Sequence, residues 1–188
     1  MKMISNEERI TNKKRLKEYL RYETLKYGVR GGVIRNIFPI SENDVLRKHQ
    51  IILRKTEFHV NTNHFIRAII YRAVLLRIQN KYALHVPINT VGKGLKIMHV
   101  GPVLINGRAT VGEDCSIHIN TSLVAGGSKD DVPTIGKRCV IGVGAVVIGG
   151  VNIADDTIIG ANAVVTKSIE EGKITIAGIP AKVLSKKH

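Results

Sequence analysis

The sequence predicts a mainly β fold, a solenoid of stacked coils preceded by an α-helical region. Branched aliphatic residues recur at every sixth position from Ile105 to Val165, which is the period of neither an amphipathic helix nor a simple alternating strand. Residues 1–83 lack this repeat and carry helix-compatible patterns instead. Aromatic residues make up only 4% of the 188 residues, with no Trp, so we expect a core of small and branched aliphatic side chains.

The six-residue repeat is the strongest pattern in the chain. Ten of the eleven positions are Ile, Leu or Val. These types supply 58 of the 188 residues and would fill about three positions by chance. The positions are Ile105, Val111, Ile117, Leu123, Lys129, Ile135, Ile141, Val147, Ile153, Ile159 and Val165. Short extended segments joined by sharp bends explain this period, because three segments close one triangular coil and stacked coils bury an aliphatic column.

Two interruptions of the repeat predict special positions. Lys129, the one exception, lies in GGSKDDVP, which we interpret as a loop directed outward from one corner. Upstream, Ile97 and Ile105 are eight residues apart, so an irregularity falls at residues 98–101. Binding and catalytic residues are concentrated in such departures from a regular scaffold.

The region 1–83 is expected to be helical and basic. Lys13 to Leu25, Asp44 to Phe58 and Phe65 to Ile78 carry helical patterns, and Ser41 with Asp44 predicts a cap for the second helix. Arg30 to Gly32 predicts a turn.

The third helical segment allows two interpretations. It is apolar, with Arg67, Arg72 and Arg77 spaced by five residues, so it has no clean polar face. We expect a core helix whose arginines reach outward to water. The alternative is a helix that lies on an anionic membrane surface.

Charge is concentrated at the front of the chain. Residues 1–83 hold 18 Lys+Arg against 7 Asp+Glu, and residues 84–188 hold 11 against 8. Such a front suits nucleic acid, an anionic membrane surface, acidic ligands or plain solvation. Residues 1–18 lack the apolar stretch of a signal peptide, so we expect a cytoplasmic protein, with peripheral contact to the inner membrane face as an option. No zinc spacing and no nucleotide fingerprint is present, and we expect neither a bound metal nor a nucleic-acid partner.

Several segments carry a family resemblance. HVPINTVGKGLKIMHVG, SLVAGGSK, IGVGAVVIGG, IGANAVVTKS and AGIPAKVL resemble the hexapeptide-repeat acyltransferases over about residues 84–188. The group is serine acetyltransferase-like and includes enzymes that O-acetylate capsular and exopolysaccharides. The resemblance implies a left-handed parallel β-helix, an exception to the right-handed crossover rule. It also implies a homotrimer with active sites between prisms, and acetyl-CoA as co-substrate. Residues 84–170 would then form the acetyltransferase domain, with 171–188 as a tail that contributes to CoA binding.

Histidine is the expected catalytic base, because imidazole titrates near neutral pH and can take the proton of an attacking hydroxyl. The resemblance places that role on His99, within the irregular coil, with His118 as the second candidate. The remaining histidines are His49, His59, His64, His85 and His188. A cysteine nucleophile is the competing mechanism, but Cys115 and Cys139 fall at small positions expected inside the prism, where thiols are inert.

The expected cofactor contacts are also implied by the resemblance. Backbone near Val143 and Ala161 would line the pantetheine arm of CoA, and Gly126 and Gly127 would let the loop approach the thioester. Thr166, Lys167, Ile179 and Lys182 would reach the nucleotide end. The alternative is that these are ordinary turn and surface residues.

Departures from the family pattern bear on the acceptor. Leu84 and Met98 stand where serine acetyltransferases carry Asp, and residues 131–133 read Asp-Val-Pro in place of Arg-His-Pro. We therefore expect a sugar hydroxyl of capsular or exopolysaccharide synthesis as acceptor, bound by Asp130 and Asp131. The alternatives are serine O-acetylation for cysteine synthesis and a non-catalytic trimeric scaffold. His99 would be oriented by a backbone carbonyl or by a carboxylate from Glu113, Asp114, Asp130 or Asp131.

Overall fold

Three helices precede the β region, and the computed structural model describes residues 9–27 and 38–186. Helix α1 spans Lys13–Lys26, α2 spans Glu42–Asn61 and α3 spans Phe65–Tyr82. The Ser41 side chain caps α2 by accepting a hydrogen bond from the Asp44 backbone N–H, as the sequence predicts. The predicted turn at residues 30–32 lies outside the described residues.

The β region is a series of short strands. They are β1 Leu84–His85, β2 Lys96–Ile97, β3 Val103–Ile105, β4 Thr110–Val111, β5 Ser116–Ile117, β6 Thr121–Val124, β7 Thr134–Ile135, β8 Val140–Ile141, β9 Val146–Ile148, β10 Asn152–Ile153, β11 Ile158–Ile159, β12 Val164–Val165, β13 Ile174–Ala177 and β14 Lys182–Lys186. Short strands separated by sharp bends match the coil that the six-residue period predicts.

The strands stack into three faces of a left-handed parallel β-helix. One face has the order β1-β3-β6-β9-β12, a second β4-β7-β10 and the third β2-β5-β8-β11-β13-β14. All described strand pairs are parallel except β13 with β14. In the regular part of the prism one coil takes eighteen residues, as in the pairing of Ile141 with Ile159. The predicted fold class is confirmed, and β13 carries the prism past residue 170.

The repeat positions form the core. The ten aliphatic repeat residues from Ile105 to Val165 are buried, with exposures of 0–3%. On one face, for example, Val111, Ile135 and Ile153 lie directly above one another in consecutive coils. Lys129 is exposed in a loop between β6 and β7, as expected. The interior is therefore a continuous aliphatic column.

Helix α3 exposes a large apolar surface. Five side chains of this helix are at least half exposed: Phe65, Ile66, Ile69, Ile70 and Leu76. Only Leu75 and Gln79 are buried. The expectation of a core helix is therefore wrong for the single chain, because α2 and β1 pack against part of α3 and its remaining apolar side chains are exposed among the described residues. Within residues 9–27 and 38–186, no helix is long and apolar enough to cross a membrane.

A buried arginine joins the helices to the first coil of the prism. Arg54 of α2 donates hydrogen bonds to Glu23 of α1 at 2.8–3.1 Å and to Glu57 at 2.9 Å. Its guanidinium also donates to the backbone carbonyls of Val91 at 3.0 Å and Gly92 at 2.6 Å. The arginine is fully buried and its two carboxylate partners are nearly so.

The two glutamates complete this cluster. Glu23 also accepts from the Gly94 backbone N–H at 2.9 Å, and Glu57 accepts from that of Asn89 at 2.8 Å. Burial lowers the pKa of Arg54, but the charges of Glu23 and Glu57 outweigh burial and raise that pKa above its usual range. Burial raises the pKa of Glu57, and the Arg54 charge offsets this only in part. The cluster is stable only as a unit, because each charge needs the others.

We expect Arg54→Ala to lower the free energy of unfolding by about 3–5 kcal/mol, because it leaves two buried carboxylates without their cation. Urea unfolding at fixed protein concentration measures this loss. Arg138→Ala is the matched control, since Arg138 pairs with two aspartates at the surface, with about half of its side chain exposed. A similar loss in both variants would show that the buried cluster has no special part in stability.

Candidate active site

His99 lies in an enlarged coil. Strand β2 pairs with β5 so that Ile97 lies beside Ile117, twenty residues on, against eighteen in the regular coils. The two extra residues form a bend at residues 99–101, which confirms the predicted irregularity. The His99 side chain is 58% exposed in this bend. A Cβ at Gly101 would lie 3.0 Å from Ile119 Cγ2, so glycine lets the bend pack against the next coil.

A carboxylate from the helical region contacts this histidine. Glu42, the first residue of α2, accepts a hydrogen bond from the Val100 backbone N–H at 2.5 Å through Oε1. Its Oε2 lies 3.3 Å from His99 Nδ1. The Val100 N–H is the main cause that lowers the pKa of Glu42; slight burial opposes it, and His99 adds to it. A negative charge is therefore held beside the imidazole at neutral pH.

Glu42 was not among the predicted orienting residues, and within one chain none of the four predicted carboxylates contacts His99. Asp114 pairs with Lys26 at 2.5 Å and Glu113 with Lys137 at 3.3 Å. Asp130 pairs with Arg108, and Asp131 binds backbone N–H groups. The sequence does place Glu42 in the first turn of a capped helix, but nothing in it shows which coil that helix end meets.

One edge of the prism leads away from His99. This His99 edge lies between the six-stranded and five-stranded faces. The register of the six-stranded face puts Met98, His118, Gly142, Gly160 and Ala177 in one column, and His99, Ile119, Val143, Ala161 and Gly178 in the next. Neighbouring strands are about 4.8 Å apart, so the five coils extend about 19 Å.

Small residues keep the His99 edge open. A Cβ on Gly142 would lie 2.8 Å from Ala161 N, and one on Gly160 would lie 2.8 Å from Ala177 Cβ. Glycine therefore lets these coils stack closely. Val143 is 39% exposed and Ala161 is exposed, so both predicted pantetheine contacts face outward along the edge. His118 is half-buried in the coil next to His99, in the column of Met98.

The far end of the His99 edge carries two further predicted residues. After β13 the chain turns through Gly178 and the cis Ile179–Pro180 peptide. It returns as β14, where Lys182 pairs with Ala177. Ile179 is 75% exposed and Lys182 is exposed. Both therefore lie four coils from His99, at the end where the resemblance implies the nucleotide.

The other predicted contacts lie on a different edge. The loop edge separates the five-stranded and three-stranded faces, and the loop 125–133 leaves it after β6. Gly126 and Gly127 belong to this loop, and Thr166 and Lys167 follow β12 on the same edge. One chain thus divides the eight predicted cofactor residues between two edges, a division that the linear order of the repeats does not reveal.

The predicted acceptor contacts hold the loop together. Asp131 Oδ2 accepts from the Gly127 N–H at 3.2 Å, and Oδ1 accepts from the Gly150 N–H of the next coil. Asp130 pairs with Arg108 at the loop edge. Within one chain neither carboxylate shares an edge with His99, so their observed partners are structural.

The remaining candidates do not form a second site. Cys115 and Cys139 are fully buried and donate to the carbonyls of Gly136 and Ala154. The sequence predicts both thiols to lie inside the prism, and we still expect them to be inert there. Among the described residues no group of three or more His, Cys, Asp or Glu side chains is placed to hold a metal ion.

The other histidines have separate surroundings. Burial lowers the pKa of His49 to about 4, so it is neutral inside the helices at neutral pH. His59 stacks on Tyr71, and His64 lies edge-on to His59. His85 is exposed in β1. His188 lies outside the described residues, which leaves His99 as the described histidine with a carboxylate partner.

Comparisons with known proteins find similarity to hexapeptide-repeat transferases. Residues 133–167 match the family described as bacterial transferase hexapeptide (six repeats). Serine acetyltransferase of Mycobacterium tuberculosis is 37% identical over 98 residues, 50% of this chain and 42% of that protein. Serine acetyltransferase of Helicobacter pylori strain J99 is 38% identical over 98 residues, 51% of this chain and 57% of that protein. The chain thus spans about half the length of these relatives.

Solved structures share the fold. Serine acetyltransferase of Brucella abortus superposes with a TM-score of 0.68 at 20% identity, covering 91% of this chain and 69% of that one. The same enzyme in complex with coenzyme A gives a TM-score of 0.64 at 19% identity, covering 94% and 70%. The fold is that of the hexapeptide-repeat β-helix proteins. Within that class, the resemblance to the serine acetyltransferase-like acyltransferases is confirmed.

Proposed function

We propose that this chain is an acetyl-CoA-dependent O-acetyltransferase with His99 as its general base. The observation that carries the proposal is the His99 imidazole, held by Glu42 at one end of an edge whose three farthest coils carry only Gly, Ala and Val in its two columns. An extended thioester arm could lie along that edge, with its nucleotide end near Ile179 and Lys182. The names of the relatives and the coenzyme A complex of the Brucella protein support this activity.

The proposed chemistry needs few groups. His99 Nε2 takes the proton of the acceptor hydroxyl while that oxygen bonds to the thioester carbonyl carbon. The C–S bond then breaks, and the proton on His99 passes to the departing thiolate of CoA. The products are an acetyl ester and free CoA, so no other reactant is required.

L-serine is the acceptor that the comparisons favour. Both relatives described above are named serine acetyltransferases, and no comparison supports the sugar hydroxyl expected from the sequence. The structure also weakens one reason for that expectation, because Asp131 is occupied by backbone N–H groups at the loop edge.

A saccharide hydroxyl stays as the second candidate for one reason. Leu84 is fully buried and Met98 is uncharged, so neither can act as the aspartate of the family pattern. An ammonium and a carboxylate need charged partners when they leave water, whereas neutral sugar hydroxyls do not.

A homotrimer is part of the same proposal. The five-stranded face carries outward apolar residues, among them Leu104, Val124 and Ile148. It lies between the His99 edge and the loop edge. Packing of this face around a three-fold axis would bring the loop edge of one chain to the His99 edge of its neighbour. The eight predicted cofactor residues would then meet between chains.

We expect His99→Ala to lower kcat by about 10²–10⁴-fold, because the general base is lost. The dissociation constant of acetyl-CoA, measured by calorimetry, should stay unchanged. His118→Ala is the matched control, since it lies one coil away without a carboxylate contact in the described structure. A kcat within threefold of the wild type would remove His99 from the mechanism.

Steady-state kinetics with L-serine and a panel of saccharides decide the acceptor. We expect kcat/KM for L-serine of about 10⁴ M⁻¹s⁻¹ or more, within the ordinary range for enzymes. A higher value for a saccharide would make polysaccharide acetylation the function. Binding of acetyl-CoA without transfer to any acceptor would instead favour the non-catalytic scaffold.

Light scattering tests the assembly. We expect three times the chain mass, because the apolar outer surface is too extensive to stay exposed in a stable monomer. Leu104→Glu should weaken the trimer by burying a charge at its contact, whereas Leu25→Glu, on the exposed side of α1, should not. A monomer mass for the wild type would contradict both the trimer and the shared site.

A further inference from the structure

Glu42 is held in place independently of His99. It begins a helix whose first turn is closed by the Ser41 cap, and its Oε1 accepts from the Val100 backbone N–H. The opposite part of the same helix is anchored in the prism through Arg54. The carboxylate is therefore fixed on two rigid elements, a geometry that a flexible surface ion pair lacks.

The second carboxylate oxygen then determines what His99 can do. Oε2 faces Nδ1 at 3.3 Å, so the favoured neutral tautomer carries its proton on Nδ1 and donates it to Glu42. Nε2 is left as the acceptor. The start of α2 is also the positive end of the helix dipole, which favours the ionised form of Glu42.

We infer that Glu42 is the positioning residue of His99, and that the helical region thereby supplies part of the active site. This inference rests on the proposed function for its catalytic consequence, but the contact itself can be tested without turnover. Leu84, buried at the position of the family's orienting aspartate, cannot do this work. A carboxylate from another element, fifty-seven residues from His99 in sequence, takes that place.

The variant Glu42→Gln distinguishes a role in setting the His99 tautomer from a role in holding α2 against the bend. The glutamine oxygen can still accept from the Val100 N–H, so the contact between α2 and the bend is kept. Its NH₂ group then faces His99 Nδ1 and donates to it, which favours the tautomer with the proton on Nε2. That tautomer cannot accept a proton from the acceptor hydroxyl.

We expect Glu42→Gln to lower kcat by about 10²-fold or more, with the KM for acetyl-CoA within twofold, because the thioester edge is untouched. Glu42→Asp keeps the charge and should recover part of the activity. Glu18→Gln is the matched control. Glu18 is also an exposed carboxylate of the helical region, and it pairs with a basic side chain of the prism, Lys93, at 2.8 Å. This control should leave kcat unchanged.

Nitrogen-15 NMR of the histidine rings gives a readout that a merely structural role would not change. In the wild type, the neutral His99 ring should carry its proton on Nδ1, and in Glu42→Gln on Nε2. Equal thermal unfolding of both proteins shows that the fold is kept. If Glu42→Gln does not fold, the inference is tested by the protonated nitrogen of the wild-type His99 ring and by the kcat of Glu42→Asp.

Two results would overturn the inference: a wild-type His99 ring protonated mainly on Nε2, or a folded Glu42→Gln enzyme with kcat within threefold of the wild type. The failure of the proposed function is distinguishable, because a wild-type protein that acetylates no acceptor would refute the activity. The NMR measurement on that same protein would still support or refute the Glu42–His99 contact.

Discussion

The buried guanidinium of Arg54 is the constraint on which the arrangement of this protein depends. It ties α1, α2 and the first coil together through two carboxylates and two backbone carbonyls. A charge without water must meet its full set of partners, so the cluster allows one position of α2 on the prism. Arg54 lies twelve residues along α2 from Glu42, about 18 Å at 1.5 Å per residue. Fixing the helix at Arg54 thus determines where its N-terminal end meets the coil of His99.

The prism contributes a different kind of constraint. Its coils repeat at a constant spacing, so any residue at a given position in the repeat lies on the same edge as its equivalents in other coils. Exposed residues at one repeat position in consecutive coils therefore line up along a long, straight edge. The two-residue enlargement at residues 98–101 is one of two interruptions of this regularity, and His99 projects from the surface there.

In the site that we propose, one chemical requirement is met by a different part of the chain from the one that the family pattern uses. An imidazole base needs a partner on its far nitrogen to set its tautomer. The position that carries an aspartate in the family pattern here holds Leu84, packed in the aliphatic core. Glu42 approaches the same imidazole from the helical region, and its backbone contact to Val100 keeps it there. The departure at Leu84 is consequently no argument that the chemistry has been lost.

Much of the fold and part of the site were readable from the sequence. The period of six identified the buried column from Ile105 to Val165, because each coil repeats the same local environment and needs no distant information. The Ser41–Asp44 cap, the outward loop and the irregular coil of His99 were likewise local patterns. The edge that carries Val143 and Ala161 follows from the same period once the register is known.

Tertiary structure alone decided which distant groups meet. The Arg54 cluster joins residues about seventy positions apart in sequence, and no pattern in α1 or α2 names Gly92 or Gly94 as partners. The exposed face of α3 could not be told from a core face, because Arg67, Arg72 and Arg77 are distributed around the helix and leave no clean polar face. Glu42 reaches His99, and Asp131 turns to the loop backbone, because the angle of α2 on the prism and the path of the loop are set by packing and by buried charge. Sequence determines the local repeat, and the three-dimensional contacts determine which side chains the repeat presents to each other.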